Sequence, residues 1–191
     1  MDIILKTPTI DYAEDIWQFR KEILSSNDKD MFAGCGTLKD CLSPQEWISS
    51  VTECDKNFDE NRVPSSTYIA VCESENKIVG IIELRHHINT PVLSLWGGHI
   101  GYTVRPSERQ KGLATKMLNL VLKKAKEINI NKLLLVCDTD NIGSEKTILK
   151  NGGIFEKTII IDGCEMKRYW IEILYEDNYG KNKCFRIKRS F

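Results

Sequence analysis

The stretch His99 to Thr115, His-Ile-Gly-Tyr-Thr-Val-Arg-Pro-Ser-Glu-Arg-Gln-Lys-Gly-Leu-Ala-Thr, constrains this chain more than any other. It opens as a short apolar strand, Ile100 to Val104, which Pro106 and Ser107 break. A basic turn with one glycine follows, Arg109-Gln110-Lys111-Gly112-Leu113-Ala114, and from Leu113 the apolar residues recur at helical spacing. Strand, tight turn and helix in that order leave backbone N–H groups unpaired at the helix mouth, where an anion can sit. Arg109 and Lys111 add two cations, and Gly112 and Ala114 keep bulk away from the backbone. The stretch therefore reads as a pyrophosphate cradle. It is not a P-loop, because Gly112 rather than Ser or Thr follows the lysine, and it lacks the three glycines of a dinucleotide fingerprint.

The rest of the chain narrows the class. At 191 residues it is read as one domain over 1–191, with 175–191 as a tail or edge strand. Lys plus Arg equals Asp plus Glu, 27 each, so no global field favours nucleic acid. Seven scattered cysteines form no C-x-x-C pair, and an odd count argues against a full disulfide framework. No basic-then-apolar leader and no membrane span stands out, so a reducing cytoplasm is expected, with no membrane and no metal.

Periodicity predicts the element order. Ile3–Lys6 reads as a strand, and a helix starts at Asp11 with Glu14 as its capping partner. Residues 25–42 read as a loop. Ser43, Pro44 and Glu46 start a second helix. Thr67–Cys72 and Lys77–His87 read as a hairpin, and 91–98 as an irregular loop. The apolar run Lys132–Asp138 reads as a strand buried on both faces and parallel to 100–104. A short helix from Asn141 to Asn151 stops at Gly152-Gly153, and a second hairpin turns at Asp162-Gly163.

Arg-x-x-Gly-x-Ala after a Gly-Tyr-x-Val strand resembles motif A of the GNAT N-acetyltransferases, whose loop holds the pyrophosphate of acetyl-CoA. The order β-α-α-β-β-β-α-β-α-β-β is also that of the GNAT fold, so the resemblance covers about residues 1–175. It implies an α/β (α+β) architecture: a central mixed, mostly antiparallel sheet, a splayed parallel strand pair, and helices on both faces. It implies acetyl transfer from acetyl-CoA to a primary amine, by direct attack on the thioester. A catalytically weak acyl-CoA-binding module of the same fold, a sensor or interaction protein, is the alternative.

The resemblance also assigns residues. Tyr102, Thr103, Val104, Arg109, Gln110, Lys111, Gly112, Leu113, Ala114, Thr115, Asn141 and Ser144 would bind the cofactor. The strand at 100–104 would bond to the pantetheine arm like an added strand, with Gly101 as a bulge that starts the splay. His99 stands where the branch that acetylates protein N-termini often has Glu, which makes it a candidate base; Glu83 is the other. Many relatives carry a Tyr on the helix after the second central strand to protonate the thiolate, but here that position is Ile148. Ser144 matches the serine that the ribosomal-protein N-terminal acetyltransferase branch places near the sulfur, so it is assigned to the thiol. Phe32, Trp47 and Trp96 are candidate substrate-wall residues, and Asp28, Asp30 and Glu83 would suit a cationic amine. The acceptor is open between a small molecule and a peptide amine, and a homodimer, common in the family, is specified by no pattern here.

Overall fold

The computed structural model describes residues 1–26, 32–52 and 63–173. Strand β1 (Ile3–Lys6) is followed by a 3-10 turn (Ile10–Tyr12), α1 (Ala13–Leu24) and α2 (Pro44–Thr52). Strands β2 (Ser65–Cys72) and β3 (Lys77–Arg85) precede a π-helical turn (Leu93–Gly97) and β4 (Ile100–Val104). A 3-10 turn (Pro106–Glu108) leads into α3 (Leu113–Glu127). The chain continues through β5 (Lys132–Asp138), α4 (Ile142–Lys150), β6 (Ile154–Ile161) and β7 (Cys164–Glu172).

The strands form two sheets, ordered β1-β2-β3-β4 and β5-β7-β6, and every paired neighbour is antiparallel. The expected parallel pair, β4 and β5, shares no ladder; it is the break between the sheets. Alternation along β2 builds a core on each face. Ile69 and Val71 pack with Ile16, Phe19 and Trp47 of α1 and α2. Ala70 and Cys72 belong to the other core, with Met117, Leu118 and Val121 of α3. Helices thus cover both faces, as the α/β (α+β) reading expects.

Three local readings are corrected. Asp11 lies in the 3-10 turn, α1 starts at Ala13, and its cap residue Tyr12 makes no side-chain cap bond. β3 ends at Arg85, so His86 and His87 lie beyond the strand; the His86 N–H bonds to the Pro64 carbonyl at 2.8 Å. Gly101 is no bulge, since the β3–β4 register runs unbroken from Gly80–Val104 to Leu84–Ile100. A Cβ on Gly101 would lie 2.7 Å from the Gly34 backbone nitrogen. Gly101 is small because the loop carrying Ala33 and Gly34 lies directly on β4. The second helix start behaves as read: Ser43 Oγ accepts the Glu46 N–H at 3.2 Å, and Glu46 Oε2 accepts the Leu42 N–H at 2.8 Å. Asp162 and Gly163 both take positive φ, as a two-residue hairpin turn requires.

One buried cation ties α1 to the end of β4. Arg105 is 3% exposed. Its Nη1 donates to Asp15 and to the Ile78 carbonyl, and its Nε to Glu22, each at 2.7 Å. Ser107 Oγ donates to the second Glu22 oxygen at 2.8 Å. Burial alone would raise the Glu22 carboxyl, but the bonds from Arg105 and Ser107 outweigh it and leave it below the usual carboxylate range. Replacing Arg105 by Met strands a carbonyl and two carboxylates. We expect Arg105→Met to cost about 2–3 kcal/mol and Glu22→Gln, whose carboxylate is partly exposed, less than about 1 kcal/mol. Urea midpoints at neutral pH check both.

Candidate active site

The Arg85 N–H bonds to the His99 carbonyl at 2.8 Å and the Arg105 N–H to the Val79 carbonyl at 2.9 Å. Antiparallel alternation then turns the peptide groups of Gly101 and Thr103 toward β3 and those of Tyr102 and Val104 away from it. On that far side β4 meets β5 at His99. The His99 N–H donates to the Leu134 carbonyl at 2.8 Å, and the Leu134 N–H donates to His99 Nδ1 at 2.9 Å. Past this joint the strands diverge. A cavity of about 1060 Å³ opens between them, lined by Tyr102, Val104, Gly112–Thr115, Cys137, Asn141, Ser144 and Thr147. Ala33, Gly34, Arg85, Trp96 and Met166 line it as well.

At one wall lies the mouth of α3. Gly112 caps the helix in the left-handed region at φ 74°, and a Cβ there would touch nothing within 4 Å. The glycine is required by backbone conformation, and the space above it is open. Arg109 Nε donates to the Val104 carbonyl at 3.2 Å. Lys111 does not aim into the mouth. Its Nζ lies 2.7 Å from Glu108, whose other oxygen takes Lys77 at 2.8 Å. The Lys111 and Lys77 ammonium groups hold this buried carboxyl below the usual carboxylate range. α4 brings Lys146 and Lys150 to the cavity instead. Sequence reasoning missed both; their four-residue spacing on the helix that Asn141 starts was the available signal.

Across the cavity, Asn141 Oδ1 accepts the Ser144 N–H at 2.9 Å and so caps α4. Tyr102 reaches over from β4, and its hydroxyl lies 2.8 Å from Ser144 Oγ. Burial pushes the Tyr102 phenol up to about 12, so it stays protonated. Burial also pushes the Cys137 thiol, beside Ser144, up to about 11. Ile148 is 1% exposed in the core beneath α4.

The two candidate bases sit elsewhere. His99 spends Nδ1 as an acceptor, so in the neutral ring Nε2 carries the proton and offers no lone pair. Burial lowers its pKa to about 4. Glu83 pairs with Arg85 at 2.7 Å, and it is Arg85, not Glu83, that lines the cavity. Thr103 Oγ1 donates to the Ala33 carbonyl at 2.8 Å, on the face opposite Tyr102. Trp47 is fully buried, with its indole N–H on the Cys35 carbonyl at 2.7 Å, and Phe32 packs against the same core; neither lines the cavity. Trp96 does line it. Asp28 and Asp30 lie outside the described residues. No cluster of His, Cys, Asp or Glu among the described residues could hold a metal ion, and no described helix is long and apolar enough to cross a membrane.

Two sheets that part around a glycine-capped helix mouth form a fold shared with solved acetyltransferases. A family model described as "Acetyltransferase (GNAT) domain" matches residues 2–154, and the chain belongs to that family. No curated protein matches. Among solved structures, RimL, a ribosomal alpha-N-protein acetyltransferase solved with coenzyme A in disulfide linkage to a cysteine, is 15% identical. That match covers 90% of this chain and 94% of RimL, with a TM-score of 0.62. A GNAT-family acetyltransferase from Bacillus anthracis is 15% identical over 90% and 95% of the two chains, at TM-score 0.60. A spermidine N-acetyltransferase chimera of Vibrio cholerae SpeG and hSSAT is 16% identical over 90% and 96%, at TM-score 0.61. At these identities the likeness is one of fold.

His99 carries a pH signature. Its folded pKa lies below the unfolded value, so its contribution is full above about pH 6.5 and is lost as pH falls toward 4. The loss is on the order of 3 kcal/mol. Urea unfolding at stepped pH should show stability falling between pH ~6.5 and ~5, above the range where most carboxylates titrate. His99→Gln should flatten that segment.

Proposed function

We propose that this chain transfers an acetyl group from acetyl-CoA to a primary amine by direct attack, with no acyl-enzyme. The observation that carries this reading is the continuous cavity from the open Gly112 mouth, along the outward peptide groups of Tyr102 and Val104, to the Ser144 hydroxyl. It accommodates an elongated ligand with an anionic end. Acetyl-CoA, when bound, supplies the activated acetyl group as a thioester. Backbone N–H groups of 112–115 take the pyrophosphate, with Arg109 and Gln110 beside it. Lys111 helps through its peptide, since its ammonium is held by Glu108. The outward groups of Tyr102 and Val104 bond the pantetheine as a strand would, while Thr103 braces the opposite face. Ser144 hydrogen-bonds the departing sulfur.

His99 is a structural joint in this scheme. With Nδ1 occupied and a pKa near 4, it is a poor acceptor for an ammonium proton. Glu83 is engaged by Arg85, so the amine's proton leaves through water in the open cavity. Two of the neighbours are named for amine acceptors, a ribosomal protein α-amine and spermidine, which supports amines as the acceptor class. We read the chain as one domain over 1–191.

Calorimetric titration with acetyl-CoA, against ATP and NAD, tests the ligand, and thiol release over an amine panel tests the reaction. We expect micromolar binding of acetyl-CoA alone; its absence would end this reading. Gly112→Asn and Gly112→Asp both tolerate the left-handed conformation, so their difference isolates charge. The Asp variant should bind acetyl-CoA at least about tenfold more weakly than the Asn variant. Equal affinities would remove the cradle from the 109–115 turn.

A further inference from the structure

Among the described residues, the phenol of Tyr102 is the one aromatic hydroxyl lining the cavity, and the ring comes from β4 rather than from α4, on which Ser144 sits. The side chain spans the gap to end 2.8 Å from Ser144 Oγ. Two hydroxyls at that distance share one hydrogen, and chemistry decides its direction. A phenol is more acidic than an alkyl alcohol and is the better donor. With Tyr102 donating, the Ser144 hydrogen is freed to point elsewhere, and polarisation along the chain makes it a stronger donor. Asn141 Oδ1 holds the Ser144 N–H and so fixes the backbone from which Oγ projects.

We propose that Tyr102 is a positioning residue for the leaving group: its hydroxyl donates to Ser144 Oγ and thereby aims the Ser144 hydrogen at the coenzyme A sulfur. This rests on the acetyl-transfer reading above. In the step concerned, the amine nitrogen bonds to the acetyl carbon and the C–S bond breaks. The electron pair of that bond stays on sulfur as a thiolate, and the amine's proton goes to water. Ser144 meets the new charge with a hydrogen bond and keeps its proton. Full transfer from the phenol would run uphill, because burial holds Tyr102 near 12 while a free thiol ionises at about 8.5. The pair therefore stabilises thiolate without protonating it, and the product takes its proton from solvent after release. Cys137 and Thr147 touch the same pair and are the competing partners: Ser144 donating to the phenol, with Tyr102 turned to Thr147, is the arrangement the proposal excludes.

Coenzyme A itself is the probe, so no acceptor needs to be known. Ultraviolet difference spectra over a pH series read the thiolate-to-thiol ratio of bound coenzyme A, with desulfo-coenzyme A as blank and as a measure of affinity. Tyr102→Phe should lower that ratio about tenfold and leave desulfo-coenzyme A affinity within about twofold. Ser144→Ala should lower it by at least as much, and the double variant should fall no further than Ser144→Ala, because Tyr102 acts through the serine. Tyr102→3-fluorotyrosine, the same shape with a stronger donor, should raise the ratio and keeps the test open if the Phe variant folds poorly. An unchanged ratio in Tyr102→Phe, or losses that multiply in the double variant, would overturn the proposal while leaving acetyl transfer intact. Failure of the wild-type protein to bind coenzyme A at all would remove both.

Discussion

Everything distinctive about this molecule follows from how β4 and β5 touch. The joint at His99 is made by a backbone pair on one side and a ring nitrogen on the other. The ring stands in for the next peptide of a ladder, satisfying the Leu134 N–H that a neighbouring strand would otherwise take. Among the described residues, one backbone bond and one ring bond are all that join the two sheets here, and no ladder forms. Beyond the joint, β4 keeps an edge whose peptide groups face a cavity instead of a strand. Edges of this kind invite a guest that bonds like a strand. A neutral, buried imidazole is what the joint needs, and the same burial that makes it a good joint makes it a weak base.

The charged groups around the cradle are committed before any ligand arrives. Arg105 is consumed in holding α1 against the end of β4, and Glu108 draws Lys111 and Lys77 onto itself. Buried ions of this sort add less stability than their number suggests, since desolvation offsets most of the attraction. Their effect is to fix the backbone of 104–112 beside the Gly112 mouth, where a Cβ would meet nothing within 4 Å. The anion site proposed above draws mainly on the peptide backbone, and Lys146 and Lys150 of α4 line the same cavity.

Element order and the main boundaries were legible because they depend on short-range periodicity: α3 begins at Leu113 and β5 runs from Lys132 to Asp138, as read. The GNAT family was legible from the Arg109–Ala114 turn and the Gly101-Tyr102 strand, and the family match bears it out. What sequence misjudged were relations between segments. Gly101 is small because of Gly34, and Trp47 is core because α2 lies against α1 and β2. Lys111 is paired because Glu108, three residues earlier, lies in a turn that curls it back. The roles of His99 and Ser144 rested on resemblance, and their partners Leu134 and Tyr102 came from elements distant in the chain; Glu83 was read from its place in the strand beside β4, and Arg85 of that same strand engages it.

By itself the sequence determined the alternation of strands and helices, the helix mouth at Gly112 and the acetyltransferase family, because each is written in contiguous residues whose spacing is its own signal. Only the tertiary structure decided that β4 and β5 share a single joint, that His99 is that joint, and that a phenol from one sheet meets a hydroxyl from a helix beside the other. Tyr102 and Ser144 are 42 residues apart. Such a pairing depends on how two sheets diverge, and divergence is a property of the packed whole that no local pattern encodes.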